Sequence, residues 1–183
     1  TLSYNLTLIS SLFADGIHGR SGFTAKRILN ETVPEISMEN IDLIAIALGG
    51  NDAFELNTLW GWQSDTRRLI QALKVKFPNS KIAFMHMPPV KEFTGFTKTM
   101  KWAIGNLVDF FGDVLAQEIP KHADVYFHHQ IVTLKSWREQ SNSNLSPDAF
   151  FSDGVHPSQL NYQLWGKSFG QWVIDQEILK KQR

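Results

Sequence analysis

The sequence predicts an α/β sandwich built on a parallel sheet, and three observations carry that reading. Short apolar runs alternate with longer stretches of helical periodicity along the whole chain. The clearest run, IDLIAIAL (41–48), is almost wholly apolar, as a strand covered by helices on both faces must be. Alternation of such strands with helices implies parallel βαβ units. The third observation is the placing of polar clusters: RSG and GGND leave the ends of strands, and DGVHP precedes the last helix in a segment that follows another strand. Ligands in such folds meet the carboxyl ends of the strands, so all three clusters can share one edge of the sheet.

The elements follow in order. YNLTLISSLF (4–13) sets Leu6, Leu8, Ile9, Leu12 and Phe13 near helical spacing and reads as a helix. DGIHG (15–19) is a short strand, and RSGFTAKRIL (20–29) is a Ser-Gly turn opening a helix. IDLIAIAL is a strand. SDTRRLIQALKVKF (64–77) reads as a helix that Ser64 or Asp65 can cap, with Leu69, Ile70, Leu73 and Phe77 as its inner stripe. KIAFMHM (81–87) is a strand closed by Pro88-Pro89. A long helix spans 96–119, weakened near Gly105 and Gly112, and ADVYFHH (123–129) is a further strand. REQSNSNLSPD (138–148) is a polar loop, and 158–179 is a closing helix with Leu160, Leu164, Trp172 and Val173 near one face. With no repeat and no linker, residues 1–183 read as a single domain.

Composition narrows the function. Eighteen basic and eighteen acidic side chains cancel, so no basic field invites nucleic acid. No apolar run approaches the roughly 18 residues of a membrane span. The absence of cysteine excludes disulfides, thiolate metal sites and a Cys nucleophile. His18, His86, His128 and His129 follow no helix-type ligand spacing and read as structural, so no metal is expected. Compartment and oligomeric state stay open.

Acyl transfer by a serine needs a base, an acid to orient it, and donors for the oxyanion. His156 can be the base and Asp153, three residues earlier, can hold its Nδ1–H. Read alone, Asp153 and His156 are a turn pair, since Asp-Gly is a turn signal and Pro157 suits the first turn of a helix. Asn51 carries a side-chain NH₂ for an oxyanion, although Asn51-Asp52 alone would be a helix cap or turn. Gly22 has no side chain to keep its N–H from a substrate.

These residues together resemble the SGNH (GDSL-type) hydrolases, and among them the bacterial lysophospholipase/arylesterase-like members. The family's blocks are a Gly-Asp-Ser near the N-terminus, a glycine after the second strand, Gly-x-Asn-Asp after the third and Asp-x-x-His near the C-terminus. Gly22 matches the second block, Gly49 to Asp52 the third, and Asp153 and His156 the last. The resemblance implies a flavodoxin-like three-layer sandwich and a serine ester hydrolase acting on a small-molecule ester without metal or organic cofactor. In it Asp153 and His156 are catalytic, and Gly22 and Asn51 hold the oxyanion.

The first block is not matched: no Gly-Asp-Ser occurs in the chain. With 4–13 read as a helix, the family's central first strand is also lacking, and its neighbours would face an empty slot with unpaired backbone groups. The expectation is an N-terminally incomplete domain whose first strand and nucleophile lie upstream of Thr1. A degenerate relative, or a strand from another chain, are the alternatives. Ser21 stands outside any nucleophile elbow and reads as a turn serine, while Ser3, Ser10 and Ser11 read as helix residues.

Substrate is approached through the loop after the KIAFMHM strand. Phe93, Phe96, Met100 and Trp102 can form an apolar wall for an acyl chain or aryl ester, or can be ordinary core packing. Trp60 and Trp62 offer instead a stacking surface for sugars. The alternatives to an esterase of lipase-like type are therefore a carbohydrate O-acetyl esterase and an inactive SGNH-fold binding module.

Overall fold

The computed structural model describes residues 6–10, 22–37, 41–130, 132–141 and 143–179. Its described strands, β1 (Leu6–Ser10), β2 (Leu43–Ala47), β3 (Lys81–Phe84) and β4 (Val125–Phe127), form one parallel sheet in the order β1-β2-β3-β4. The helices are α1 (Ala25–Arg27), α2 (Val33–Glu35), α3 (Gly50–Phe54), α4 (Leu59–Lys76), α5 (Lys98–Glu118), α6 (Leu134–Ser141) and α7 (Gln159–Asp175). A π-helical turn, Ile28–Thr32, joins α1 to α2.

The expected helix over 4–13 is corrected. Leu6–Ser10 is a strand, paired in parallel with β2 from Leu6↔Leu43 to Ser10↔Ala47. A short apolar run cannot be told from a helix by periodicity alone. Position decides here: β2 carries backbone donors and acceptors on both edges, and β1 engages those on the side away from β3. The slot held to be empty is thus occupied, and the backbone argument for a strand upstream of Thr1 falls away. DGIHG (15–19) lies outside the described residues.

Pleating divides the core into two layers. Ile44, Ile46, Ile82 and Phe84 meet Leu69, Ile70 and Leu73 of α4 and Phe111 and Leu115 of α5. On the other face Leu43, Ala45, Ala47, Ala83 and Met85 meet Trp165, Phe169 and Val173 of α7. Three alanines on that face leave the volume that an indole and a phenyl ring fill.

Other boundaries move for local reasons. Helix α4 starts at Leu59 rather than at Ser64, because Thr58 Oγ1 accepts the Gly61 N–H at 3.0 Å and caps it there. Helix α5 runs unbroken through Gly105 and Gly112, the expected weak points. A Cβ on Gly105 would fall 2.5 Å from Lys91 Cγ, and one on Gly112 would fall 3.2 Å from Met87 Cγ. The glycines are where the loop after β3 lies against the helix. Residues 138–141 of the expected loop belong to α6. No helix among the described residues is long and apolar enough to cross a membrane.

Candidate active site

The segment DGVHP folds as a tight loop between the end of a short 3₁₀ turn, Pro147–Phe150, and α7. Ser152 N–H donates to His156 O at 2.8 Å, and Ser158 N–H donates to Phe150 O at 3.0 Å, closing the loop at its base. Within it Asp153 Oδ1 accepts the N–H groups of Val155 (3.0 Å) and His156 (2.8 Å). Asp153 Oδ2 lies 2.7 Å from His156 Nδ1. Gly154 turns the chain at φ +85°, and its carbonyl accepts the Gly95 N–H at 2.9 Å; a Cβ there would fall 2.6 Å from Gly95 N. The loop after β3 and the loop before α7 are therefore fitted backbone to backbone.

This geometry fixes the imidazole. Donors to Asp153, the His156 backbone N–H first and its ring second, hold the carboxyl down at about 2, so it is a carboxylate at any ordinary pH. A carboxylate accepts only, so Nδ1 carries a proton, and Nε2 has no hydrogen-bond partner among the described residues. The dyad expected from the spacing is formed.

Asn51 reaches the same place from the other side of the sheet edge. It stands in the first turn of α3, four residues beyond the end of β2. Its Nδ2 donates one hydrogen to Phe23 O at 3.1 Å, which fixes the amide and leaves the second hydrogen without a partner among the described residues. Asp52 next to it is fully buried and accepts the Ala25 N–H at 3.2 Å on each oxygen. Burial pushes the Asp52 carboxyl up to about 6, partly offset by that backbone donor. The two side chains together strap residues 23–25 onto α3. Gly22, beside the strap, is exposed at φ +77°, a conformation that side chains disfavour.

A cavity of about 200 Å³ opens between these pieces, lined by Gly50, Asn51 and His156 together with Asn161. Its apolar walls come from Phe54 of α3, Pro88 and Phe93 after β3, and Trp137 and Phe151 after β4. Of the expected substrate wall, Phe93 lines the cavity. Phe96 does not, but packs edge-on against Phe93 at 5.4 Å and Phe54 at 5.7 Å. Met100 (43% exposed) and Trp102 (70%) belong to neither cavity nor core, because α5 starts at Lys98 and carries them outward. The expected Trp pair also separates. Trp62 is buried, stacked on Phe111 and donating to its carbonyl at 3.0 Å, while Trp60 is 82% exposed.

His86 is buried with Nδ1 3.0 Å from Met87 O and its ring stacked on Trp165 at 4.8 Å; burial pushes it down to about 4. His128, also buried and pushed down, stacks on Trp172 at 4.8 Å. Both are neutral packing groups near neutral pH. Among the described residues no three His, Cys, Asp or Glu side chains gather as metal ligands. The sequence reading missed Trp137, Phe151 and Asn161, whose place at the cavity depends on how the segment after β4 folds back.

Comparison with known proteins agrees with this architecture. The sequence model of the GDSL-like lipase/acylhydrolase family matches residues 9–169. No curated protein matches the chain by sequence. Among solved structures, one from Streptococcus pneumonia described as a platelet activating factor superposes with a TM-score of 0.71 at 15% identity, covering 94% of this chain and 85% of its own. A catalytic mutant of an acetylxylan esterase from Geobacillus stearothermophilus gives 0.64 at 15% identity, covering 92% and 93%. An extracellular lipase from Streptomyces rimosus gives 0.58 at 13% identity, covering 90% and 97%. At these identities the likeness speaks to the fold.

Proposed function

This chain belongs to the GDSL-like lipase/acylhydrolase family, and on that premise we propose that it hydrolyses carboxylic esters through a serine, His156 and Asp153. The observation that carries the reading is the 2.7 Å contact of Asp153 Oδ2 with His156 Nδ1, on an imidazole that shares a cavity with Asn51.

The proposed steps are those of a serine hydrolase. A serine Oγ attacks the ester carbon while His156 Nε2 takes its proton, and Asp153 stabilises the imidazolium. The carbonyl oxygen becomes an oxyanion, met by the second Asn51 hydrogen and, in this proposal, by the Gly22 and serine N–H groups. Collapse expels the alcohol, which receives the proton back from His156. Water then repeats the sequence on the acyl-enzyme and releases the acid and the free serine.

The nucleophile is assigned to the carboxyl end of β1. Ser10 closes that strand opposite Ala47, four residues before Asn51, and Ser11 follows it in sequence. In this proposal the pair stands where the sequence reading had a serine upstream of Thr1.

Fluorophosphonate treatment followed by peptide mapping tests the assignment. One adduct on residues 10–11, lost in the matching serine-to-alanine variant together with ester turnover, is the expected result. An adduct elsewhere overturns the nucleophile and keeps the serine hydrolase. No adduct and no turnover overturn the enzyme and leave a binding module. The cavity of about 200 Å³ lies below the few hundred that enclose a drug-sized ligand, which favours short acyl groups over long lipid chains. The same limit supports the second reading, a carbohydrate O-acetyl esterase, which cleavage of acetylated sugar without turnover of longer esters would establish.

A further inference from the structure

Asp52 is a buried ionisable group to which the steps above give no role. It lies fully buried beside Asn51, and its two oxygens share the Ala25 N–H at 3.2 Å each. A carboxyl inside a protein is costly, because burial penalises the charged form. That penalty is what raises this one to about 6. Ala25 opens α1, and a neighbouring hydroxyl would serve its N–H at less cost, as Thr24 Oγ1 serves the Arg27 N–H at 3.4 Å. The fold instead brings a carboxyl from 27 residues away.

What that carboxyl holds gives the reason. Adjacent residues of α3 grip alternate residues of one loop: Asn51 Nδ2 donates to Phe23 O, and Asp52 accepts from the Ala25 N–H. Gly22 comes just before the gripped residues. A Cβ on it would meet nothing within 4 Å, so no side-chain packing of its own keeps it in place. The buried Phe23 ring sets the depth of the loop, and the two grips set the direction its peptide planes face. In the proposed mechanism Gly22 and Asn51 donate to the same oxyanion, and misplacing such a donor by about 1 Å costs on the order of 10²-fold in rate. Resting on that ester-hydrolase reading, we propose that Asp52 is the positioning residue of the oxyanion hole, fixing the Gly22 peptide relative to the Asn51 amide so that both donors meet one oxygen. It acts through Ala25 and touches no substrate atom.

The test is hydrolysis of 4-nitrophenyl acetate by Asp52→Ala, Asp52→Asn, Asn51→Ala and the double variant of Asn51→Ala with Asp52→Ala. Each is also titrated with a short trifluoromethyl ketone, to which a serine adds reversibly to give a bound oxyanion. In Asp52→Ala, kcat and kcat/KM should fall together by about 10²-fold, with the ketone weakened by a similar factor. Asp52→Asn keeps one accepting oxygen for the Ala25 N–H and should recover most of both. Because the loop needs both grips, the double variant should lose far less than the product of the two single losses. A purely structural Asp52 would lower the melting temperature and leave kcat per folded molecule and ketone affinity where they were, which overturns the proposal. Losses that multiply in the double variant overturn it as well. If Asp52→Ala does not fold, Asp52→Ser takes its place, since its shorter side chain stops short of Ala25. Wild-type turnover with an unaffected Asp52 variant keeps the esterase and sinks the proposal alone, whereas no turnover by the wild type overturns the ester-hydrolase reading and the proposal with it.

Discussion

At the scale of single residues, the proposed mechanism has the Asp153 carboxylate hold a proton in place rather than move one. Replacing it in Asp153→Asn keeps the shape but allows the amide to face Nδ1 with its NH₂, which favours the tautomer with Nε2 protonated and removes the base. The expected loss in kcat is roughly 10²- to 10⁴-fold, with KM and thermal midpoint little changed, as steady-state kinetics and a melt would show. Asp52, one residue from Asn51, does something different. Its pKa is raised to about 6 by burial, so the folded state holds its proton more tightly than the unfolded chain. The associated stability is present below pH 4 and is lost as pH rises through 6, reaching about 3 kcal/mol. Urea unfolding of wild type against Asp52→Asn at pH 5 and pH 8 should therefore show the wild type losing ground at the higher pH. Equal pH slopes would mean that Asp52 is solvated or paired in some other way. The Asp153–His156 dyad was legible in the sequence because its geometry is local, fixed by a turn of three residues. Asn161 was not legible, since an asparagine in a helix says nothing about what folds over it.

At the scale of elements, the two long helices on one side of the sheet are tied by one carboxylate. Glu118 at the end of α5 is buried and accepts from Arg67 of α4 at 2.7 and 2.9 Å, from Lys121 at 2.9 Å and from Gln63 at 3.2 Å. The Arg67 guanidinium, first among these partners, holds the Glu118 carboxyl well below the usual carboxylate range. A depressed pKa places the stability above the unfolded value of 4.5, and it is lost as pH falls below that. Glu118→Gln should cost about 1–2 kcal/mol at neutral pH, discounted because Arg67 and Lys121 are partly exposed, and much less at pH 3. Chemical denaturation at the two pH values reads this directly. The helices themselves were readable from their apolar stripes, and the errors lay at their ends. Thr58 caps α4 six residues before the first candidate the stripe suggested, because the first turn of that helix carries mainly exposed side chains and adds little to the stripe. The strand Leu6–Ser10 was misread for a related reason. Five residues are too few for a period to declare itself, and only the vacant edge of β2 decides between helix and strand.

At the scale of the whole molecule, the site exists only where the segments after three successive strands meet. Asn51 follows β2, Phe93 follows β3, and Phe151, His156 and Asn161 follow β4, so no segment shorter than most of the chain holds the cavity together. The parallel sheet made this edge predictable, because polar clusters after successive strands must fall on one side. The size of the cavity was not predictable, since it depends on how Phe93 packs edge-on against Phe151 at 5.4 Å and on Trp137 stacked with Phe150 at 5.5 Å. That size sets the last prediction. With about 200 Å³ enclosed, the ester series from acetate to decanoate should show kcat/KM highest at two to four acyl carbons and at least about tenfold lower by ten. Phe93→Leu removes ring volume at the wall while keeping an apolar, well-packing side chain, at a stability cost of about 1–2 kcal/mol. If the wall limits the acyl chain, this variant should raise the decanoate-to-butyrate ratio several-fold. If Phe93 is core packing alone, every ester falls by the same factor and the ratio stays where it was. A flat profile in the wild type would place long chains outside the cavity, along the exposed surface that carries Trp60 and Leu56.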